Sequence, residues 1–259
     1  MTPNLYLKQF LDERFLIYNR PSFVIDDPIS VPHSFQKKED REIAGLIAAI
    51  FAWGQRKTAI SKANHLLGLM NNRPLDFLLS ATEKDYKPMI SFVHRTFNGD
   101  DCLGLMYGLA HIYKNLGGLE EVFTRGFAKG GASAGIQSVR SAIAVAPLMP
   151  RTFKHFPDPE QGSAAKRMNM FLRWMVRNDG MGVDFGLWKK INSCDLICPL
   201  DLHVGKAARE LTLLKRKQND WKAALELTDN LKQFDSDDPV KYDFALFGYS
   251  MYEIKNIKF

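Results

Sequence analysis

The sequence is poor in three things: cysteine, long apolar runs and strand-like alternation. Its only thiols are Cys102, Cys194 and Cys198. An odd count excludes a fully paired disulfide framework. Cys194 and Cys198 have the spacing of a metal-binding pair, but no second Cys or His pair lies beside them, and a closed zinc site needs four ligands. Reduced, partly buried thiols are expected, with no metal and no cofactor. No stretch reaches the roughly 18 consecutive apolar residues of a membrane-spanning helix. Met1-Thr2-Pro3 leads directly to Lys8, Asp12, Glu13 and Arg14, with no apolar leader core. No membrane partner is expected, and the cytoplasm is the expected location. Only Phe23-Val24-Ile25 and Ile29–Val31 look extended.

What the chain has in quantity is helical periodicity. Its 259 residues, 46% apolar and 25% charged, suffice for one large domain or two small ones. Ile43, Leu46, Ile47, Ile50 and Phe51 recur at three and four after the polar Lys37–Asp40 stretch. Ile60, Ala63, Leu66, Leu67 and Met70 repeat the pattern, and Pro74 opens a short helix toward Leu79. Further helices are expected around Leu103–Tyr113, from Leu119 to a stop at Gly130-Gly131, and from Ile136 to a stop before Pro147. Another runs from about Ser163 to Arg177 with Met168, Phe171, Leu172, Met175 and Val176 inward, broken by Gly180 and Gly182. Leu202–Leu213, Trp221–Phe234 and Pro239–Tyr252 complete an all-α chain. Asp237 or Asp238 is the expected oxygen cap before Pro239.

The net charge of +6 suits a polyanionic partner, although charge alone does not specify one. Two segments carry chemistry. In Pro199-Leu200-Asp201-Leu202-His203, a carboxylate stands where it would cap the following helix. In Gly162-Ser163-Ala164-Ala165-Lys166-Arg167, an amine stands at a helix start, where the positive helix end disfavours a cation. A neutral lysine amine is what Schiff-base chemistry requires. An amine and a carboxylate flanked by positive charge point to chemistry on a nucleic-acid sugar.

These segments resemble the helix-hairpin-helix (HhH-GPD) DNA glycosylases, especially the 8-oxoguanine enzymes, whose Pro-x-Asp-x-His sequence is similar to residues 199–203. Residues 46–66, reading LIAAIFAWGQRKTAISKANHL, resemble the endonuclease III segment bearing the glutamine that fills the gap left by an extruded base. Residues 162–174 resemble the lysine helix of the archaeal GO glycosylases. Asp243-Phe244-Ala245-Leu246-Phe247 resembles the late helix whose aromatic stacks on the oxidised base. The chain is also close to the bacterial DUF2400 family, which has the same Lys and Asp segments. The resemblance runs from about residue 40 to 254.

The resemblance implies a base-excision glycosylase with AP-lyase activity on an oxidised purine, 8-oxoguanine above all. Lys166 would attack the anomeric carbon, and Asp201 would steady the oxocarbenium-like state. Phe247 would stack on the flipped base, Asp243 would bond its polar edge, and Trp53 would form the opposite wall. Gln55 would fill the vacated place. Arg56, Lys57, Arg167 and His203 would hold phosphates with the Gly162 and Ser163 amides. Arg173 is open between pocket and solvent. The implied architecture is two helical lobes with a cleft between, residues 40–184 carrying the lysine and residues 1–39 with 185–259 carrying the aspartate. The partner would be duplex DNA with a damaged base, bound by a monomer. Three departures stand out. The usual hairpin before the lysine is replaced by Pro157-Asp158-Pro159-Glu160-Gln161-Gly162-Ser163, the Lys–Asp separation of 35 residues is long, and the four-cysteine loop is absent, so no iron–sulfur centre is expected. The alternative is a binding module of the same fold without catalysis.

Overall fold

The computed structural model describes residues 4–145 and 150–254. Met1–Pro3 and the proline stop at Pro147 lie outside the described residues. Within them the chain is all-helical, and β-structure is limited to two isolated bridges, His94 with Phe97 and Ser163 with Asp220.

Thirteen α-helices occur in order among the described residues: α1 Leu5–Tyr18, α2 Pro21–Ile25, α3 Ser30–His33, α4 Lys38–Phe51, α5 Arg56–Leu69, α6 Pro74–Ser80, α7 Glu83–Tyr86, α8 Gly99–Asn115, α9 Leu119–Ile143, α10 Lys166–Val176, α11 Leu202–Glu210, α12 Trp221–Lys232 and α13 Tyr242–Gly248. The segments expected to be extended are helical instead. Phe23-Val24-Ile25 falls in α2, where Pro21 takes the first position, and Val31 falls in α3. Short β-branched runs carry no periodicity to distinguish the two states. The glycine stop in α9 is real: Gly130 and Gly131 leave helical geometry, and Gly131 has φ +66°. The Asp238 side chain does not cap the short Pro239–Lys241 turn. The backbone amides of Asp237 and Asp238 donate to Asp235, and the Asp238 carboxylate accepts from Arg177 at 2.8 Å.

The chain divides into two compact units, residues 24–157 and residues 1–23 with 158–259. The boundaries expected from resemblance, at 40 and 184, differ from these. The lysine-bearing α10 falls in the same unit as α11 and α13, because its buried Arg173, with Arg177 just past its end, pairs with Asp184 and Asp243.

In the unit of residues 24–157, α4 is the central rod. Its residues 42–51 are all buried, and Tyr113 of α8 donates to Glu42 at 2.7 Å. In the other unit, α10 is buried along residues 168–176, including Phe171, Leu172, Trp174 and Met175 at 0% exposure. Side chains of that size each contribute about 1.5–3 kcal/mol on leaving water. The irregular segment after α10 is pinned to its end, with Phe185 N–H donating to Trp174 at 2.8 Å and Trp188 N–H to Met175 at 2.9 Å. It delivers the chain to Asp201.

Helices α1 and α13 pack closely, with Phe15 on Phe244 at 6.4 Å, and Phe10 meets Tyr249, the residue after α13, at 5.1 Å. Tyr242 also donates to Asp12 at 2.9 Å. Gly248 permits the approach, since a methyl group there would lie 2.1 Å from the Tyr18 ring. Gly248→Ala therefore sets a helix-propensity gain of about 1 kcal/mol against overpacking of about 1–3 kcal/mol. The clash is severe, so overpacking wins. Urea unfolding of Gly248→Ala is expected to show a net loss of about 1–2 kcal/mol, and a gain would show that α1 yields without cost.

Candidate active site

The lead-in to α10 is built from local geometry. Gly162 has φ +86° and Ala165 has φ +48°, two left-handed turns that bend the chain sharply into the helix. The Ser163 hydroxyl accepts the Ala165 amide at 3.2 Å, and Asn169 reaches back to the Ala164 carbonyl at 3.1 Å. Trp221 N–H donates to the Gly162 carbonyl at 3.0 Å, which ties the start of α12 to the same turn. Lys166 then occupies the first position of α10.

Asp201 caps α11 as its sequence position suggests. Its Oδ1 accepts the amides of His203 and Val204, each at 2.9 Å, and Asn219 donates to its carbonyl at 2.9 Å. Its other oxygen, Oδ2, lies 3.8 Å from Lys166 Nζ. The lysine side chain is 29% exposed and the aspartate 26%, so the pair is reachable from solvent yet fixed. Met170 Sδ lies 3.6 Å from the amine, one helical turn on. Two residues 35 positions apart therefore meet, one oxygen of the acid serving the helix and the other facing the amine.

Asp243 joins this pair from α13. Its carboxylate is buried and bonded to the Arg173 guanidinium. Burial pushes its pKa up to about 6, against the pull of the Arg173 and Lys166 charges, while Asp201 adds to the rise. Cys198 is buried in the same field. Burial raises its thiol pKa well above the usual range, Asp243 and Asp201 add to that rise, and Arg173 opposes it. Phe247, one turn beyond Asp243, is half-buried, with its ring 6.2 Å from the His203 ring and 6.4 Å from Phe23. His203 is half-buried on the first turn of α11. Lys166, Asp201, His203, Asp243 and Phe247 thus form one neighbourhood in a single compact unit.

Other expected residues stand elsewhere. Arg173 is only 3% exposed, bound to Asp184 at 3.3 Å and to Asp243, and its guanidinium lies 4.1 Å over the Phe244 ring. It belongs to the interior, not to a DNA-facing surface. The amides of Gly162 and Ser163 are not offered to a phosphate. Gly162 N–H donates to Pro159 and Ser163 N–H to Asp158, both at 3.0 Å, because the Pro-Asp-Pro segment folds into a turn that uses its own donors. Arg167 is half-buried, and burial draws its guanidinium down to about 10.

Trp53, Gln55, Arg56 and Lys57 lie in the unit of residues 24–157, at the turn joining α4 to α5. Gln55 and Lys57 are exposed and Arg56 is half-buried. The Trp53 ring carries the Arg95 guanidinium at 4.8 Å and has His94 at 5.6 Å and His155 at 6.2 Å. Arg95 was not singled out from sequence, because no local motif marks it and its placement depends on the tight His94–Phe97 turn.

This geometry defines an all-helical protein that sets a lysine amine beside a helix-capping carboxylate. The chain belongs to the DUF2400 family, described as a protein of unknown function, whose model matches residues 27–252. No curated protein and no solved structure matches it.

The charges around Asp243 make a direct test of the neighbourhood. An NMR titration of its side-chain carboxyl is expected to show a midpoint near pH 6. Lys166→Gln removes a positive charge and is expected to raise that midpoint; Asp201→Asn removes a negative charge and is expected to lower it. Unmoved midpoints would mean the three groups do not share a site. The stability consequence has a definite sign. An acid whose folded-state pKa is raised binds its proton more tightly when folded, so this contribution is full below about pH 4 and lost as pH rises through 6.

Proposed function

We propose that the chain is a base-excision DNA glycosylase with AP-lyase activity, acting on an oxidised purine through a Schiff base on Lys166. The observation that carries this reading is the Lys166 amine held 3.8 Å from the fixed carboxylate of Asp201. A deoxyribose C1′ placed against both groups meets a nucleophile and a negative charge suited to its cationic transition state.

The neutral amine attacks C1′ as the glycosidic C–N bond breaks. The base leaves with the bonding electrons and takes up the proton that the amine releases. The ring C1′–O4′ bond then opens, O4′ gains a proton, and an iminium joins C1′ to Nζ. Loss of a C2′ proton expels the 3′ phosphate by β-elimination. Asp201 stays ionised throughout, its Oδ1 committed to two amides and its Oδ2 free to face the developing charge. Extruding a base costs a few kcal/mol. Phe247 is placed beside His203 with part of its ring exposed, and stacking on such a ring returns about 1–3 kcal/mol. Asp243 supplies a hydrogen-bonding carboxyl for the base edge, and its midpoint near 6 leaves it largely ionised at neutral pH. An oxidised purine, with its added N–H donor, suits a carboxylate acceptor.

Borohydride trapping on duplexes containing 8-oxoguanine or an abasic site tests the reading. Hydride delivered to the iminium carbon gives a stable secondary amine, so wild type is expected to form a covalent adduct and Lys166→Gln none. Asp201→Asn is the discriminating variant, because asparagine caps a helix as well as aspartate does. It is expected to slow base release about 10²–10³-fold with the melting temperature nearly unchanged. Salt-sensitive DNA binding without any adduct would instead establish the non-catalytic binding module.

A further inference from the structure

The geometry points to a second phosphodiester-binding element, in the unit of residues 24–157: Arg95, presented on the Trp53 ring at the tip of a tight turn. It takes from the proposed glycosylase reading only the identity of the polyanion, a duplex DNA backbone, and does not depend on the lysine chemistry.

The turn is made by the pairing of His94 with Phe97, which exchange backbone hydrogen bonds of 2.8 and 2.9 Å. Two residues, Arg95 and Thr96, form its tip. Arg95 has φ +57°, the left-handed conformation that glycine or asparagine takes readily at such a tip and arginine takes against a steric penalty. The flanks are firmly seated. His94 and Phe97 are buried, the His94 ring lies 3.1 Å from the Phe51 carbonyl, and Phe51 packs on Phe92, His94 and Phe97. The rigid base thus forces an exposed cation into a strained backbone state.

The guanidinium is held as well as exposed. It lies 4.8 Å from the Trp53 ring centroid, and a methyl group on Gly54 would come within 2.1 Å of its Nη1. Ring and glycine backbone cover its surface while the residue remains exposed. Among the described residues no carboxylate pairs with it. The local sequence supplies none either, since residues 51–75 and 86–99 contain no Asp or Glu but carry Arg56, Lys57, Lys62, Arg73, Lys87 and Arg95. A guanidinium stacked on an aromatic face keeps its in-plane N–H donors available, and their fork matches two oxygens of a phosphodiester. A strained position whose guanidinium has an aromatic support but no internal carboxylate is suited to an external anion.

The test compares full-length wild type, Arg95→Gly and Arg95→Lys by fluorescence anisotropy on a labelled, lesion-free DNA duplex across a range of salt, with melting curves alongside. Arg95→Gly is expected to melt at or above the wild-type temperature while binding several-fold more weakly. Its log–log salt slope is expected to shrink by about one, the signature of one lost phosphate contact. Arg95→Lys is expected to keep the slope and lose part of the affinity. A lowered melting temperature in Arg95→Gly with affinity unchanged would make Arg95 a structural stack and overturn the assignment. An unchanged slope in Arg95→Gly, or a wild type whose duplex affinity ignores salt, would overturn it equally. Borohydride trapping reads none of this, so the lysine chemistry and the Arg95 contact can fail separately.

Discussion

Arg173 of α10 and Arg177 just past its end share one buried carboxylate, and the placement of the amine depends on that contact. Asp184 accepts from Arg173 at 3.3 Å and from Arg177 at 3.0 Å, with its side chain wholly buried. Arg177 also binds Asp179 and Asp238, each at 2.8 Å, and Arg173 binds Asp243. Burial alone works against each charge, yet the surrounding carboxylates keep Arg177 firmly protonated. Ion pairs removed from water add little net stability over apolar packing, but losing one partner of such a pair costs about 3–5 kcal/mol. The network therefore acts as a directional lock. It sets the rotation of α10 about its axis and the position of α13, and those two settings bring Lys166 and Asp243 to Asp201.

The same principle of divided service appears at smaller scale in Asp201. One oxygen completes the hydrogen bonding of a helix start, and the other meets an amine from a distant segment. A carboxylate committed in this way loses little freedom when it engages a substrate, because its side chain is already ordered. Around it, burial and charge act in opposite directions on Asp243, and the balance leaves a carboxyl that titrates within the physiological neighbourhood. Asp243 thus links the arginine network to the site, paired with Arg173 on one side and in the field of Lys166 and Asp201 on the other.

Much of this was legible in the amino-acid sequence where the cause was local. The Asp201 cap, the start of α6 at Pro74 and the break at Gly130-Gly131 each follow from a residue and its immediate neighbours. The apolar stripe of α4 and the buried face of α10 follow from periodicity. What escaped depended on partners far along the chain. Arg173 could not be assigned to core or surface because its carboxylates lie 11 and 70 residues away. The Gly162 and Ser163 amides looked available until the turn from Asp158 consumed them. Asp238 looked like a cap until Arg177 claimed its oxygen. The strain at Arg95 arises only once His94 and Phe97 pair, and no spacing rule announces that.

The double use of Asp201 also bears on how such a protein changes over generations. Aspartate and asparagine are separated by a single nucleotide in the codon, and both close the start of a helix. Position 201 can therefore surrender its charge while α11 stays intact. Under the proposed glycosylase reading, a lineage released from selection for chemistry would cross from catalyst to passive binder in one mutational step, with no poorly folded ancestor in between.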